Sequence, residues 1–203
     1  MENEIIIKLC DNITSVACLH KEIFADHLLG MLPVKLIEAF YSEHNDGENL
    51  FLCAEVNGKT IGFVMGGESF NLRNAKKRFL AKNKFRFGWH ILCNRNALKL
   101  FIETYLKRNK ACFEGNRGRN ASFRLLSIGV NKIYQGKGVA QQLLSAYEDR
   151  LRILKKGGEP IRYGLSVHRT NIRAIYFYRK MGFRDDASST VMNLFLCKTI
   201  SQK

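Results

Sequence analysis

The chain has 203 residues, 46% hydrophobic and 25% charged, with 33 Lys or Arg against 18 Asp or Glu and a formal net charge of +15. That length and mix belong to one globular domain, or one with an insertion, and exclude disordered, collagen-like and linker-rich chains. No apolar run approaches the roughly 18 residues of a membrane span. The acidic start Met1-Glu2-Asn3-Glu4 is unlike the basic start of a signal peptide, so a cytoplasmic protein is expected. Cys10, Cys18, Cys53, Cys93, Cys112 and Cys197 sit singly, with no CxxC pair, so neither a disulfide framework nor a metal site is expected.

The chain opens with Ile5-Ile6-Ile7, a β-branched run that predicts a strand over 4–9. Asp11 or Asn12 then caps a helix whose apolar positions run from Ile13 to Leu28, with Gly30 as its stop. Pro33 suits the first turn of a second helix carrying Leu36, Ile37 and Phe40. Strands over 50–56 and 60–65 flank Asn57-Gly58, the strongest short hairpin signal. Residues 71–120 hold fourteen Lys or Arg against only Glu103 and Glu114, so this one block carries +12 and the rest of the chain +3. Leu98, Phe101, Ile102, Tyr105 and Leu106 predict an amphipathic helix in at least its second half, followed by a loop at Asn116–Asn120. A strand over 123–130 precedes a helix from about Gly138 to Leu154 that buries Val139, Leu143, Leu144, Tyr147, Leu151 and Leu154. A strand over 162–167, a helix over 171–181 and a strand over 191–197 complete the order.

The stretch Val130 to Ala140 runs from strand through a two-glycine loop into a helix. Glycines there free successive amides, which together with the helix N-terminus suit phosphate oxygens. It is not a P-loop: six residues, where four are needed, separate Gly129 from Gly136-Lys137, and Gly138 supplies no hydroxyl. It is not a dinucleotide fingerprint either, because Gln141 stands where the third glycine belongs. Gln135-Gly136-Lys137-Gly138-Val139-Ala140 instead fits Gln/Arg-x-x-Gly-x-Gly/Ala. Further on, Asn171, Ala174, Tyr178, Gly182 and Phe183 fit Asn, Ala at +3, Tyr at +7 and Gly-Phe at +11 and +12. On these two motifs, over residues 124–183, the chain resembles the GCN5-related N-acetyltransferase superfamily.

The resemblance implies an α/β (α+β) fold with a mixed, mostly antiparallel twisted sheet flanked by helices. It implies one acetyltransferase domain over 1–203, with the basic helical block at about 71–120 inserted between strands 3 and 4 near the acceptor side. It implies acetyl-CoA as co-substrate, held by Gln135, Gly136, Lys137, Gly138, Val139 and Ala140, by backbone groups of Ile128 and Val130, and by Asn171. Gly129 is expected to leave space for the thioester arm. Tyr178 is the expected general acid, while Tyr176, on another side of the helix, is expected to pack. The strand over 124–128 carries no acid, so the base is open between Glu68, His168 and a water chain. No cysteine has a nucleophilic setting, so direct attack by the amine is expected.

A +12 block repels polyamines and favours a small anionic acceptor, such as an amino sugar on a nucleotide or lipid phosphate. The N-terminal order, with Leu19-His20, Phe24 and Phe40-Tyr41, resembles relatives in surface-polysaccharide pathways. The rival class is an acyl-CoA binder without turnover, or a protein whose basic block binds a membrane surface or nucleic acid. Phe79, Phe85, Phe87 and Trp89 lie among its charges, but the block has no recognised nucleic-acid module, so nucleic acid is not expected.

Overall fold

A computed structural model of the chain describes residues 4–103, 121–155, 158–187 and 189–201. The elements are β1 (Ile6–Leu9), α1 (Ile13–Ile23), α2 (Val34–His44), β2 (Asn49–Val56), β3 (Lys59–Glu68) and α3 (Ser69–Cys93), then a short helix α4 over 95–103. There follow β4 (Phe123–Val130), a 3-10 turn at Lys132–Tyr134, α5 (Val139–Leu154), β5 (Ile161–His168), α6 (Ile172–Lys180), β6 (Arg184–Asp185) and β7 (Asn193–Ile200). The strands form one sheet in the order β1-β2-β3-β4-β5-β7-β6. Every neighbouring pair is antiparallel except β4 and β5.

Helices cover both faces of this sheet, which explains why β2 and β3 read as nearly unbroken apolar runs. Leu50, Leu52, Ala54 and Val64 pack with α5 and α6 on one face. Phe51, Cys53, Phe63 and Met65 pack with α1, α2 and α3 on the other. The hairpin between them turns at Asn57 and Gly58, with φ of 50° and 73°, matching the right-handed twist of its strands. On the first face Glu148 of α5 is bonded by the Tyr163 hydroxyl and by Lys198 at 2.6 Å, so the buried carboxylate is paired.

Several boundaries differ from the sequence expectations. Asn12 caps α1 by accepting from the Ser15 amide, but the helix stops at Ile23, not at Gly30. The chain folds back there: a Cβ on Gly30 would sit 1.9 Å from the Phe24 carbonyl oxygen, so a bare backbone lets the turn close on the helix end. The first half of the basic block is the 25-residue helix α3, in keeping with a helical insertion, although the sequence periodicity points to a helix most directly in the second half. In α4, Ala97 is buried and Leu98 packs inward, but Phe101 and Ile102 are exposed. Tyr105, Leu106 and the Asn116–Asn120 loop lie outside the described residues. Leu154 is also exposed, although Leu151 in the same last turn of α5 is fully buried. The two-residue strand β6 was not expected, and β7 starts two residues later and ends three later than predicted.

Candidate active site

β4 is the strand around which the site is built. It pairs with β5 only at Phe123–Tyr163 and Arg124–Gly164, after which the two parallel strands have no further pairing. On its other edge β4 follows β3, but Met65 faces Ser127 while Gly66 faces Leu125, so Leu126 is an unpaired bulge residue. The cause is local. Gly66 has no room for a side chain, because Tyr147 of α5 fills that space and donates from its hydroxyl to the Arg124 carbonyl at 3.1 Å.

The Asn131 amide donates to the Ile61 carbonyl at 2.8 Å. Backbone groups alternate along a strand, so those of Val130 and Ile128 turn to the opposite, β5-facing edge. The Val130 carbonyl accepts from Gln135 Nε2 at 2.9 Å. Among the described residues, the remaining groups of Ile128 and Val130 on that edge have no strand partner. An extended amide-bearing ligand can add there as a further strand would.

The glycine loop continues directly from this edge. Gly136 and Gly138 have φ of 82° and 79°, and a Cβ at Gly136 would meet nothing. The requirement for glycine is conformational: an L side chain rarely adopts this backbone. Gly138 is the N-cap of α5 and no side chain caps that end, so the first amides of the helix are free to bind an anion. Lys137 Nζ sits 5.3 Å above the Tyr134 ring. Arg173 of α6 donates to Gln135 Oε1 at 2.6 Å, which brings a guanidinium to the loop. Arg173 was not among the expected site residues, although it lies two positions after Asn171 in the second motif. Gln135 therefore ties the strand edge, the loop and α6 together.

Asn171 is the N-cap of α6, its side chain accepting from the Ala174 amide at 3.1 Å. Tyr178 is buried, with its ring edge-on to Phe183 and beside Phe177. Burial pushes its phenol above the ordinary tyrosine range, so it keeps its proton at neutral pH. Tyr176 does not pack as expected: it is 72% exposed.

Gly129 also departs from expectation. A Cβ there would lie 2.3 Å from Ile23 Cδ1 and 3.0 Å from the Phe63 ring. The glycine admits the end of α1 against β4, and the space is filled by protein.

The two base candidates stand at different places. Glu68 is exposed and faces Phe123, at the end of β4 remote from the glycine loop. Seven residues separate that end from Val130, about 23 Å of strand. His168 ends β5 on the open side of the β4–β5 pair, its Nδ1 2.7 Å from Thr170 Oγ1. Burial, and the neighbouring charge of His168, press His27 below the ordinary histidine range, with Asp26 opposing. The α1–α2 connection thus brings His27 toward His168.

Beneath the bulge lies a polar group the sequence did not reveal. Tyr41 of α2 is fully buried, and its hydroxyl is 2.7 Å from His20 Nδ1 of α1. Ser127 of β4 lies close enough to act on the same hydroxyl electrostatically. His20 Nε2 is buried without a partner. Desolvation, aided by His27, pushes the His20 ring down to about 4, so it is neutral at pH 7. Only the histidine and tyrosine recurring among apolar residues hinted at this group, and nothing local joins them to Ser127.

The family model for the acetyltransferase (GNAT) family matches residues 19–183. No curated protein matches the chain. Among solved structures, the PaiA N-acetyltransferase of Thermoplasma acidophilum, in complex with coenzyme A, is 17% identical with a TM-score of 0.56, over 97% of this chain and 99% of that one. An N-acetyltransferase of Staphylococcus aureus Mu50 is 15% identical with a TM-score of 0.63, over 96% and 100%. Naa50 of Arabidopsis thaliana, bound to the bisubstrate analogue CoA-Ac-MVNAL, is 13% identical with a TM-score of 0.53, over 97% and 99%. At these identities the likeness is one of fold.

Proposed function

Because the chain belongs to the acetyltransferase (GNAT) family, we propose that it moves an acetyl group from acetyl-CoA to a primary amine by direct attack. The observation that carries this is the open β4 edge running into an uncapped, doubly left-handed glycine loop. The amides of Gly136, Gly138, Val139 and Ala140, with Lys137 and Arg173, hold the phosphates. The free backbone groups of Ile128 and Val130 hold the amide-bearing arm. Asn171 fixes the start of α6 and so the position of Tyr178.

The nitrogen lone pair forms the new N–C bond, the C–S bond breaks, and the thiolate takes the Tyr178 proton. At neutral pH the Tyr178 phenol carries the proton this step needs. The amine proton passes to His168 through water, a route supported by its place at the open end of β5, whereas Glu68, the other base expected from the sequence, stands at the far end of β4. The acceptor we assign is a small anionic amine, such as an amino sugar on a nucleotide or lipid phosphate, and the support is the charge of residues 71–120. A cytoplasmic setting is supported by the free cysteines Cys10, Cys18, Cys53, Cys93 and Cys197.

The test is release of CoA thiol from acetyl-CoA with a panel of primary amines: nucleotide-linked and lipid-phosphate-linked amino sugars, peptide N-termini and polyamines. Turnover concentrated in the phosphate-bearing amines is expected. Turnover only with polyamines overturns the acceptor class. Tight acetyl-CoA binding with no turnover on any amine overturns the enzyme reading in favour of a binder.

A further inference from the structure

Helix α3 packs one side inward and leaves another bare. Leu72, Ala75, Phe79 and Ile91 are buried against α2 and the sheet. Phe85, Trp89 and Leu92, spaced i, i+4 and i+7, are 81%, 73% and 68% exposed. That spacing lines them along one stripe of the helix, about 10 Å long. Large apolar side chains in such a line are uncommon on a surface that meets only water.

The charged residues that α3 itself contributes beside the stripe are all basic. Over its 25 residues α3 contains no Asp or Glu. Lys77, Lys84 and Arg86 on α3, and Arg95 and Lys99 just beyond it, are exposed or partly so. Lys84 Nζ lies 5.0 Å above the Phe85 ring, so a cation borders the stripe directly. Arg78 and Lys82 are different, being tied to Glu43 and Asp46 at the end of α2. The helix is therefore anchored to the protein by one set of bases and presents another set outward.

We propose that α3 docks on an anionic lipid surface, with Phe85, Trp89 and Leu92 entering the headgroup boundary and Lys77, Lys84 and Arg86 meeting the lipid phosphates. Among the described residues no helix is long and apolar enough to cross a membrane, so the helix lies on the surface. Tryptophan favours that boundary, and basic residues flanking an apolar stripe are what an anionic leaflet attracts. Single-stranded nucleic acid fits less well. Leu92 has no face to stack on a base, and the stripe is a convex helix surface with no groove to track a backbone. His90 Nε2 is 3.0 Å from the Met31 carbonyl oxygen, which fastens α3 to the α1–α2 connection carrying His27. Docking thus sets that connection about one helix diameter, roughly 10 Å, from the lipid.

Trp89 is the chain's one tryptophan, so its fluorescence reads this stripe alone. The full-length protein is mixed with phosphatidylcholine vesicles containing about one third phosphatidylglycerol, with pure phosphatidylcholine vesicles, and with a 20-nucleotide single strand. With the anionic vesicles, emission is expected to shift to the blue and acrylamide quenching to fall, and salt is expected to reverse both. Phe85→Ser with Leu92→Ser should weaken partitioning about tenfold or more while thermal stability holds, since both side chains are exposed. Each Lys77→Gln, Lys84→Gln or Arg86→Gln should weaken it about fivefold. Unchanged fluorescence with anionic vesicles at low salt overturns the proposal. So does a response to the single strand alone. Equal partitioning into both kinds of vesicle overturns the role of the bases. These readouts do not involve acetyl transfer, so they stand or fall separately from the catalytic reading.

Discussion

The α5–α6 side of the sheet and the α1–α2–α3 side differ in what carries their chemistry. On the first, the groups proposed to hold acetyl-CoA are mostly backbone: the open edge at Ile128 and Val130, the glycine loop and the start of α5. Such groups are positioned by φ and ψ, and a short run of sequence specifies them. On the second, the groups are side chains from three separate elements: His20 on α1, Tyr41 on α2 and Ser127 on β4. Their meeting depends on how the helices pack. A site built from backbone can be written locally, while one built from packed side chains is assembled from distant parts.

The contrast is sharpened most at Tyr178, a single side chain acting on the backbone-built side. Tyr178→Phe keeps the packing against Phe183 and removes only the proton. A fall in kcat of about 10²–10⁴ with acetyl-CoA affinity unchanged is expected from steady-state kinetics. Because burial raises the phenol, loss of the Tyr178 proton should not limit the rate near neutral pH. A fully active variant would reduce Tyr178 to a packing residue.

Gly138→Asp tests the backbone itself. It forces a side chain onto a φ of 79° and sets a negative charge at the start of α5. Calorimetry should show acetyl-CoA affinity falling by about 10² or more, the combined effect of strain and of charge at a helix N-terminus. Circular dichroism should show the helices intact. Unchanged affinity would mean the phosphates are held elsewhere.

The motifs made this half legible because glycine and asparagine at fixed spacing each have a stereochemical job. Asn57-Gly58 was legible for the same reason. The long helix α3 was not. Its buried residues form a narrow set, Leu72, Ala75, Phe79 and Ile91, interrupted by bases and by the exposed Phe85 and Trp89. An apolar stripe on the outside cancels the periodicity that an apolar stripe on the inside would produce. The early end of α1 was hidden likewise, because Phe24, Leu28 and Leu29 keep helical spacing while packing from a turn. Gly129 was read as room for a ligand, yet only the packed structure shows that Ile23 and Phe63 claim the room.

His20 offers a test of the side-chain-built half through pH. Its folded value near 4 lies below the ordinary 6.5, so the unfolded chain binds the proton more readily than the folded one. Stability is then greatest above about pH 6.5 and declines as pH falls toward 4, by about 3 kcal/mol from this residue. Urea unfolding of the parent between pH 7 and pH 4 should lose about that much more stability than His20→Gln, which cannot titrate. Equal losses would mean that His20 is reached by water or paired in its charged form.

The smallest expected effect divides the bases of α3 into two kinds. Arg78 bonds Glu43 at 3.2 Å and also reaches Asp46, and Lys82 bonds Glu43 at 2.6 Å. The hydrogen bond from Lys82, then Arg78, holds the Glu43 carboxyl below the ordinary range, so this contribution exists above that range and is lost as pH falls through it. Arg78 is partly open to water, and screening keeps the pair's contribution small. Arg78→Met should therefore lower the melting temperature by a few degrees at pH 7 and by less in strong acid, once Glu43 is protonated. Its acceptor KM should stay near the parent value, because this guanidinium is occupied by α2. The combined variant Lys77→Gln, Lys84→Gln and Arg86→Gln should do the reverse, holding the melting temperature and raising KM for an anionic acceptor with acetyl-CoA KM unchanged. If Arg78→Met instead raises the acceptor KM as much as the triple variant does, then α3 acts as one undivided field of charge, and the distinction between anchoring and outward bases fails.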